Sequence, residues 1–279
     1  MMGRKLAFSL VVPMIAIIAI GLTSAQAQEE APLFPLPFTP DYTRGSGWGI
    51  ALGLGVEYET AYAGSDEYEF ELDPAGAIQW RKGNHLFSWE GLELSWTTRQ
   101  KDRWYIQAEL ALDGEREEDD SDDGRLDGLD ERDDEFTGTG EVRYAFDGEW
   151  RNYVGTRISV GNSDFGTKGF IFAGHRFGSR QDGGGTEAFL YATFGDSNNL
   201  NRDFGVSPLE ATTSGLAETD LDGGYRSTGL RLVDRRYLSE HIQIVSGLEL
   251  EYYSSDVRDG PIAREDFVAE FELAILYHF

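Results

Sequence analysis

Apolar and polar residues alternate with a period of two over four long stretches of the chain. In the last of these, 267–279, every residue on the parity of Phe267 is apolar, whereas the opposite parity carries two glutamates. The stretches 48–59, 105–113 and 241–253 repeat the pattern, with an apolar row opposite small or charged residues. A period of two predicts β-strands that present one apolar face.

Seven weaker segments also predict strands. They are 68–80, 86–96, 138–146, 151–160, 168–177, 187–194 and 226–234. The total is then odd, whereas single-chain bacterial membrane barrels have an even number of strands. Splitting 84–98 at Glu90–Gly91, or discarding one weak segment, restores an even number. We therefore predict an all-β fold, a transmembrane antiparallel up-and-down β-barrel of about 10–12 strands.

Charged residues inside these strands indicate which face is which. Arginine on the lipid face of a barrel costs about 2–4 kcal/mol at mid-depth, whereas inside the barrel it can pair with a carboxylate. We therefore expect a charged, paired lumen. The residues assigned to it are Arg143, Arg157, Arg176 and Arg231, with Glu57, Glu109, Glu141, Glu249 and Glu270. The alternative is that the apolar rows form the core of a soluble β-sandwich.

The first residues have the features of a secretory signal peptide. Two basic residues precede an uncharged apolar run at 6–22, and the sequence Ala-Gln-Ala ends at Ala27. We predict a cleaved signal peptide at 1–27, a proline-rich leader at 28–47 and the barrel at 48–279. The alternative for the first segment is an uncleaved helical anchor.

The amino-acid composition excludes some partners and some kinds of site. The formal charge is −26, which argues against nucleic acid as a partner because phosphate backbones attract Lys and Arg. The chain has no cysteine, so neither disulfides nor thiolate metal sites can form. These features suit export to the outer membrane of a Gram-negative bacterium, with outer-membrane lipid as the surrounding medium.

The acidic segment 115–135 contains a candidate calcium loop. Calcium loops place oxygen ligands at fixed intervals around a central glycine, which would be Gly124. The candidate ligands are Asp119, Ser121, Asp123, Asp127 and Asp130. Aspartate replaces the usual final glutamate, and the flanking segments predict strands instead of helices. The alternatives are a solvated, self-repelling loop and a cation-bridging or adhesive surface loop. We predict no other cofactor.

Catalytic signatures are weak. The four histidines are His85, His175, His241 and His278. None belongs to a nucleophile motif such as G-x-S-x-G, and His175, next to Arg176, is expected in the lumen. We therefore predict no catalytic residues and no enzymatic activity.

Two segments resemble the MipA/OmpV family, or MltA-interacting protein family, of outer membrane proteins. The segment 57–84 has the family's Tyr-x-Gly-Ser-Asp pattern at 62–66, and 204–232 begins with Phe-Gly-Val-Ser. The segment 259–266, before the closing strand, is also similar. The resemblance implies an outer-membrane barrel without catalytic residues. It also implies an adaptor role towards a lytic transglycosylase and a peptidoglycan synthase. A small passive channel, or a surface protein with a cation-binding loop, stays open as an alternative.

Overall fold

The chain folds into a closed antiparallel barrel. A computed structural model describes residues 46–100, 103–113, 121, 123–132, 135–177 and 185–279. Within them, twelve strands each pair with their neighbours in sequence, and β1 pairs with β12. The strands are β1 (Gly47–Thr60), β2 (Tyr68–Lys82), β3 (His85–Glu90), β4 (Glu93–Gln100), β5 (Trp104–Asp113), β6 (Glu135–Ala145), β7 (Asn152–Val160), β8 (Thr167–Phe177), β9 (Gly185–Gly195), β10 (Gly224–Tyr237), β11 (Ile242–Tyr253) and β12 (Phe267–His278). The predicted fold class is confirmed.

The strand number settles the parity question raised by the sequence. The segment 84–98 divides into β3 and β4, which meet at a turn where Gly91 has a φ of 54°. This left-handed conformation favours glycine. The division at Glu90–Gly91 is therefore confirmed, and twelve strands place both described chain ends at the same end of the barrel.

The closing seam joins the first and last strands over eight residue pairs, from Ala51↔His278 to Tyr58↔Phe271. The backbones approach so closely that a Cβ on Gly53 would lie 1.9 Å from the carbonyl oxygen of Ile275. The backbone N–H of Phe279 extends the seam by donating to Ile50 O at 3.0 Å. Closure removes the unpaired edge that a flat sheet would expose.

The barrel exterior is apolar and carries aromatic side chains near both ends. Exposed aliphatic residues include Leu54 (60%), Leu110 (59%), Leu190 (63%) and Ile275 (53%), on the predicted lipid-facing parity. One aromatic girdle contains Trp48, Trp104, Phe146, Phe177 and Phe279. The other contains Phe136, Phe194, Tyr225, Tyr252 and Phe267. An apolar band between two aromatic girdles is typical of outer-membrane barrels.

The two barrel ends differ in their connections. The described residues of the connections 114–134, 196–223 and 254–266 lie together at one end, which we call the long-loop end. The opposite, short-turn end carries the turns 83–84, 146–151 and 238–241 together with Phe279. Long connections at one end and short turns at the other are typical of outer-membrane barrels. The predicted signal peptide and nearly all of the leader lie outside the described residues, and their assignments stay predictions.

Among the described residues, three short helices lie in the long connections, where the sequence shows no long helical period. They are α1 (Ser197–Phe204), α2 (Pro208–Ser214) and α3 (Ser255–Arg258). The side chains of Asp196, Ser207 and Ser254 cap their first turns. No helix within the described ranges has the length and apolarity needed to cross a membrane.

Candidate functional site

The predicted charged lumen is confirmed. The side chains of Arg143 and Arg176 are 1% and 5% exposed, and both lie near the short-turn ends of their strands, β6 and β8. Arg143 donates to Glu141, and its guanidinium lies 4.7 Å from the ring centroid of Tyr105. Such contacts offset the large cost of removing a guanidinium from water.

Two further arginines reach past an intervening strand inside the lumen. Arg157 of β7 donates to Glu109 of β5. Arg231 of β10 lies 3.3 Å from Glu249 and 3.2 Å from Glu272. These ion pairs cross-brace β5 to β7 and β10 to β12 from the inside.

A cavity of about 460 Å³ occupies the lumen between these charges. Its wall is aromatic on one side, where Phe170, Phe172 and Tyr191 line it. The opposite wall is polar and includes Ser88, Ser95 and Gln107. The cavity therefore combines apolar surface with hydrogen-bonding and charged groups, as ligand pockets do.

Charge divides the lumen into two halves. Most of the basic residues that face it, among them Arg143, Arg157 and Lys168, come from strands β6 to β10, and Arg81 of β2, which is 1% exposed, is an exception. The strands β12 and β1 to β4 contribute mainly carboxylates. These are Glu57, Glu59, Glu90, Glu93, Glu270 and Glu272. The lumen thus presents an acidic half to any molecule inside it.

Side chains fill the lumen at the short-turn end. Trp150, in the turn after β6, has a φ of 59° and is 2% exposed because its ring points into the barrel. It packs in a cluster with Tyr105, Tyr153, Phe189 and Val233, which we call the plug. An aromatic residue in a polar turn would ordinarily be assigned to the membrane interface, so sequence reasoning missed this inward position.

The long connections fold over the other end and form what we call the cap. One buried cluster joins four connections through apolar side chains, Tyr62, Leu126, Leu129, Val206 and Ile262. A second cluster contains Leu200, Phe204, Leu221, Tyr253, Val257 and Val268. The Tyr-x-Gly-Ser-Asp pattern at 62–66 therefore belongs to the cap, where Gly64 has a φ of 81° and a Cβ added to it would lie 3.0 Å from Ala263 Cβ.

Ion pairs and hydrogen bonds hold the cap together. Glu210 of α2 accepts hydrogen bonds from Arg132 Nη2 and from the backbone N–H of Asp130, both at 3.1 Å. Burial alone would raise the pKa of Glu210, but the hydrogen bonds from Ser207 and Asp130 and the charge of Arg132 lower it. Glu210 therefore holds its negative charge where the two loops meet.

The candidate calcium ligands are partly engaged by protein groups. Asp123 accepts hydrogen bonds from Ser121 Oγ at 2.9 Å and from Arg264, and these contacts lower its pKa. Asp119 lies outside the described residues. Within the described part of the chain, no three His, Cys, Asp or Glu side chains form a group that could hold a metal ion. The calcium hypothesis stays a prediction, with Arg264 already occupying one face of Asp123.

One histidine occupies a different position from that expected, whereas His85 and His278 lie at strand ends. His175 is exposed and lies 2.8 Å from Asn152, so its predicted lumen position is wrong. The reason is strand alternation, because the neighbouring Arg176 takes the inward position. His278 is instead buried at the seam, with its Nε2 3.0 Å from Gln243 Oε1.

The barrel is similar to several solved outer-membrane protein structures, at low sequence identity. LpxR from Salmonella typhimurium has 14% identity and a TM-score of 0.49, with 82% of this chain and 100% of that chain covered. The Pseudomonas putida toluene transporter TodX has 8% identity, a TM-score of 0.41 and coverages of 86% and 89%. OmpT of Vibrio cholerae has 6% identity, a TM-score of 0.36 and coverages of 87% and 99%. Likenesses this weak support no statement about function.

Family assignment rests on the sequence itself. No curated protein matches the chain. The family model described as MltA-interacting protein MipA matches residues 52–279, which is nearly the whole barrel. Together with the apolar exterior and its aromatic girdles, this match supports an outer-membrane location. The chain therefore belongs to the MltA-interacting protein MipA family.

Proposed function

We propose that the protein is a non-enzymatic outer-membrane barrel that acts as an adaptor for murein-processing enzymes. Its partners would be a lytic transglycosylase and a peptidoglycan synthase. The family match over residues 52–279 carries this proposal, because the family is named for an interaction with another protein. A barrel embedded in outer-membrane lipid would present one fixed face to the murein layer.

The plug favours the adaptor over the passive channel. Trp150 and Tyr153 are 2% and 1% exposed, and they lie in the lumen together with the buried Arg143. Side chains can fill the interior of a barrel of this size. We therefore expect no conductance steps when the folded protein is inserted into a planar bilayer.

The short-turn end is the surface that we assign to the partners. Long loops normally face the outside of the cell and short turns the periplasm, where murein lies. Leu238 in the β10–β11 turn is 65% exposed, and Arg151 and Glu149 in the β6–β7 turn have side chains 60% and 68% exposed. An exposed aliphatic residue beside charged ones can contribute to a protein contact.

Pull-down on the immobilised, detergent-folded protein tests the proposal. We expect capture of a lytic transglycosylase of the MltA type and of a peptidoglycan synthase. The variant Leu238→Asp should weaken capture, whereas Leu209→Asp, at a 67% exposed position in the cap, should leave it unchanged. Capture of neither enzyme, under conditions that preserve a known murein complex, would refute the adaptor role.

A further inference from the structure

The barrel wall is shorter at the β3–β4 hairpin than at the neighbouring strand β2. The hairpin of β3 and β4 has strands of six and eight residues, whereas β2 has fifteen. Pairing between β2 and β3 ends at Ala77↔Glu90, although β2 continues to pair with β1 as far as Thr60↔Tyr68. Among the described residues, the stretch 68–76 of β2 therefore has a strand on one side only. We call the gap between this stretch and the hairpin tip at 90–93 the lateral notch.

The outer rim of the notch is apolar. Phe70 and Leu72 of β2 are 76% and 73% exposed. Leu92 at the hairpin tip is 70% exposed, and Leu94 is 54% exposed. Pro74 lies on the same edge and has no N–H to donate, which makes this edge a poor template for another strand. The rim therefore suits an aliphatic chain better than an added peptide.

The inner side of the notch is acidic and belongs to the lumen cavity. Glu90 and Glu93 are register partners on either side of the hairpin turn, and both line the cavity of about 460 Å³. Ser88 Oγ donates to Glu90 at 2.6 Å. No described ion pair within 4.0 Å joins Glu90 or Glu93 to Arg or Lys, although Glu93 hydrogen-bonds with Glu109 and interacts with the charge of Arg157 at longer range. Two carboxylates in a confined space need cationic donors to offset their desolvation.

A buried amide provides an independent indication of a ligand. Gln79 is 2% exposed and lines the same cavity. Its Nε2 lies 3.3 Å from Ser88 Oγ and 3.5 Å from Glu90 Oε1, whereas its Oε1 has no hydrogen-bond partner among the described residues. A buried acceptor without a donor is uncommon in folded proteins. This Oε1 and the two carboxylates call for N–H donors on one molecule, and a primary ammonium has three.

We infer that the cavity behind the lateral notch binds the primary ammonium head of an aliphatic amphiphile. The head group donates to Glu90, Glu93 and Gln79 Oε1. The tail leaves through the notch along Leu92 and Leu94, in contact with lipid. The site thus takes a cationic amphiphile laterally from the membrane, and it is separate from the surface assigned to murein enzymes.

Titration calorimetry with n-octylammonium, at constant non-ionic detergent concentration, tests this inference on the folded protein. The double variant Glu90→Gln/Glu93→Gln should bind about tenfold more weakly or worse, because two charge-assisted hydrogen bonds are lost. Glu240→Gln, which changes an exposed charge in the β10–β11 turn, should bind like the unmodified protein. Octyltrimethylammonium, which has the same charge but no N–H, and octanoate should both bind more weakly. Retention of the heat-dependent gel shift by each variant verifies folding.

A second experiment tests where the octylammonium binds. The chain has no cysteine of its own, so a spin label can be attached at a single introduced cysteine. A nitroxide attached to Leu92→Cys should broaden the NMR signals of bound octylammonium, whereas one attached to Leu238→Cys, at the opposite end, should not. Equal affinity of the double variant, equal binding of octyltrimethylammonium, or equal broadening from both labels would overturn the inference. Each of these results would indicate simple partition into the detergent.

Discussion

The carboxylate of Glu210 lies 3.1 Å from Nη2 of Arg132, although the two residues are 78 positions apart in the sequence. The same carboxylate completes a capping box with Ser207, whose backbone N–H it accepts at 2.8 Å. One side chain therefore both starts helix α2 and fastens the acidic 121–132 segment to it. The cap depends on such contacts because its connections have few backbone bonds to one another.

Replacing Glu210 should loosen the cap without unfolding the barrel. The change Glu210→Ala leaves Arg132 and the N–H of Asp130 without their acceptor, which costs about 1–3 kcal/mol of local stability. Hydrogen exchange of amides in 123–132 should accelerate, while exchange in the strands should stay unchanged. Glu218→Ala, an exposed acid in the same connection, provides the control. Equal protection in both variants would show that Glu210 does not hold the loops.

Acid should release the cap. Burial opposes the charged form of Asp203, but Arg226 pairs with it and lowers its pKa, and the pKa values of Asp123 and Glu210 are also lowered. A carboxyl whose pKa is lower in the folded state stabilises that state above its unfolded pKa, which is about 4, and loses this contribution as pH falls through the folded pKa. Cleavage of the cap by an acid-active protease should therefore increase below about pH 4. Cleavage that is independent of pH would contradict this electrostatic account.

The buried pair of Arg143 and Glu141 should be sensitive to loss of one partner. Arg143→Ala leaves the buried Glu141 with only the more distant Arg157, whose Nη1 lies 3.9 Å away, and breaking a buried pair typically costs about 3–5 kcal/mol. The double variant Arg143→Met/Glu141→Leu removes both charges and should be much closer to the unmodified protein. Urea unfolding in detergent measures both. A double variant as unstable as Arg143→Ala would show that packing on Tyr105, and not the charge, dominates.

Adding a methyl group at Gly53 in the β1–β12 seam should destabilise the barrel. In Gly53→Ala the new Cβ would lie 1.9 Å from Ile275 O, so the strands must separate, at a cost of about 1–3 kcal/mol for overpacking. Gly140→Ala in β6 is the matched control, since a Cβ there has no atom within 4 Å. The midpoint of thermal unfolding, followed by the gel shift, should fall only in Gly53→Ala. Equal midpoints would mean that the seam is looser than described.

Local alternation was enough to predict the barrel wall. The apolar parity of β12 and the inward arginines of β6 to β10 follow directly from the cost of a charge in lipid. The glycine at position 91 provided the information needed to separate β3 from β4. These features depend on residues that are neighbours in sequence or in one strand.

Features that depend on distant contacts could not be predicted in this way. The cap joins Leu126, Val206 and Ile262 from three different connections, and no periodicity in the sequence reports that contact. The inward turn of Trp150 depends on a left-handed backbone at a non-glycine residue, which is uncommon. The lateral notch results from comparing the lengths of β2 and β3 in register, and boundaries are the least certain part of a strand prediction.

The most direct test of a closed barrel in the outer membrane combines envelope fractionation with gel migration of unboiled and boiled samples. We expect the chain to fractionate with the outer membrane, to require detergent for extraction and to migrate differently after boiling, because a closed strand network resists dodecyl sulfate until it is heated. A chain recovered in the soluble periplasmic fraction without detergent, with one mobility before and after boiling, would contradict this expectation.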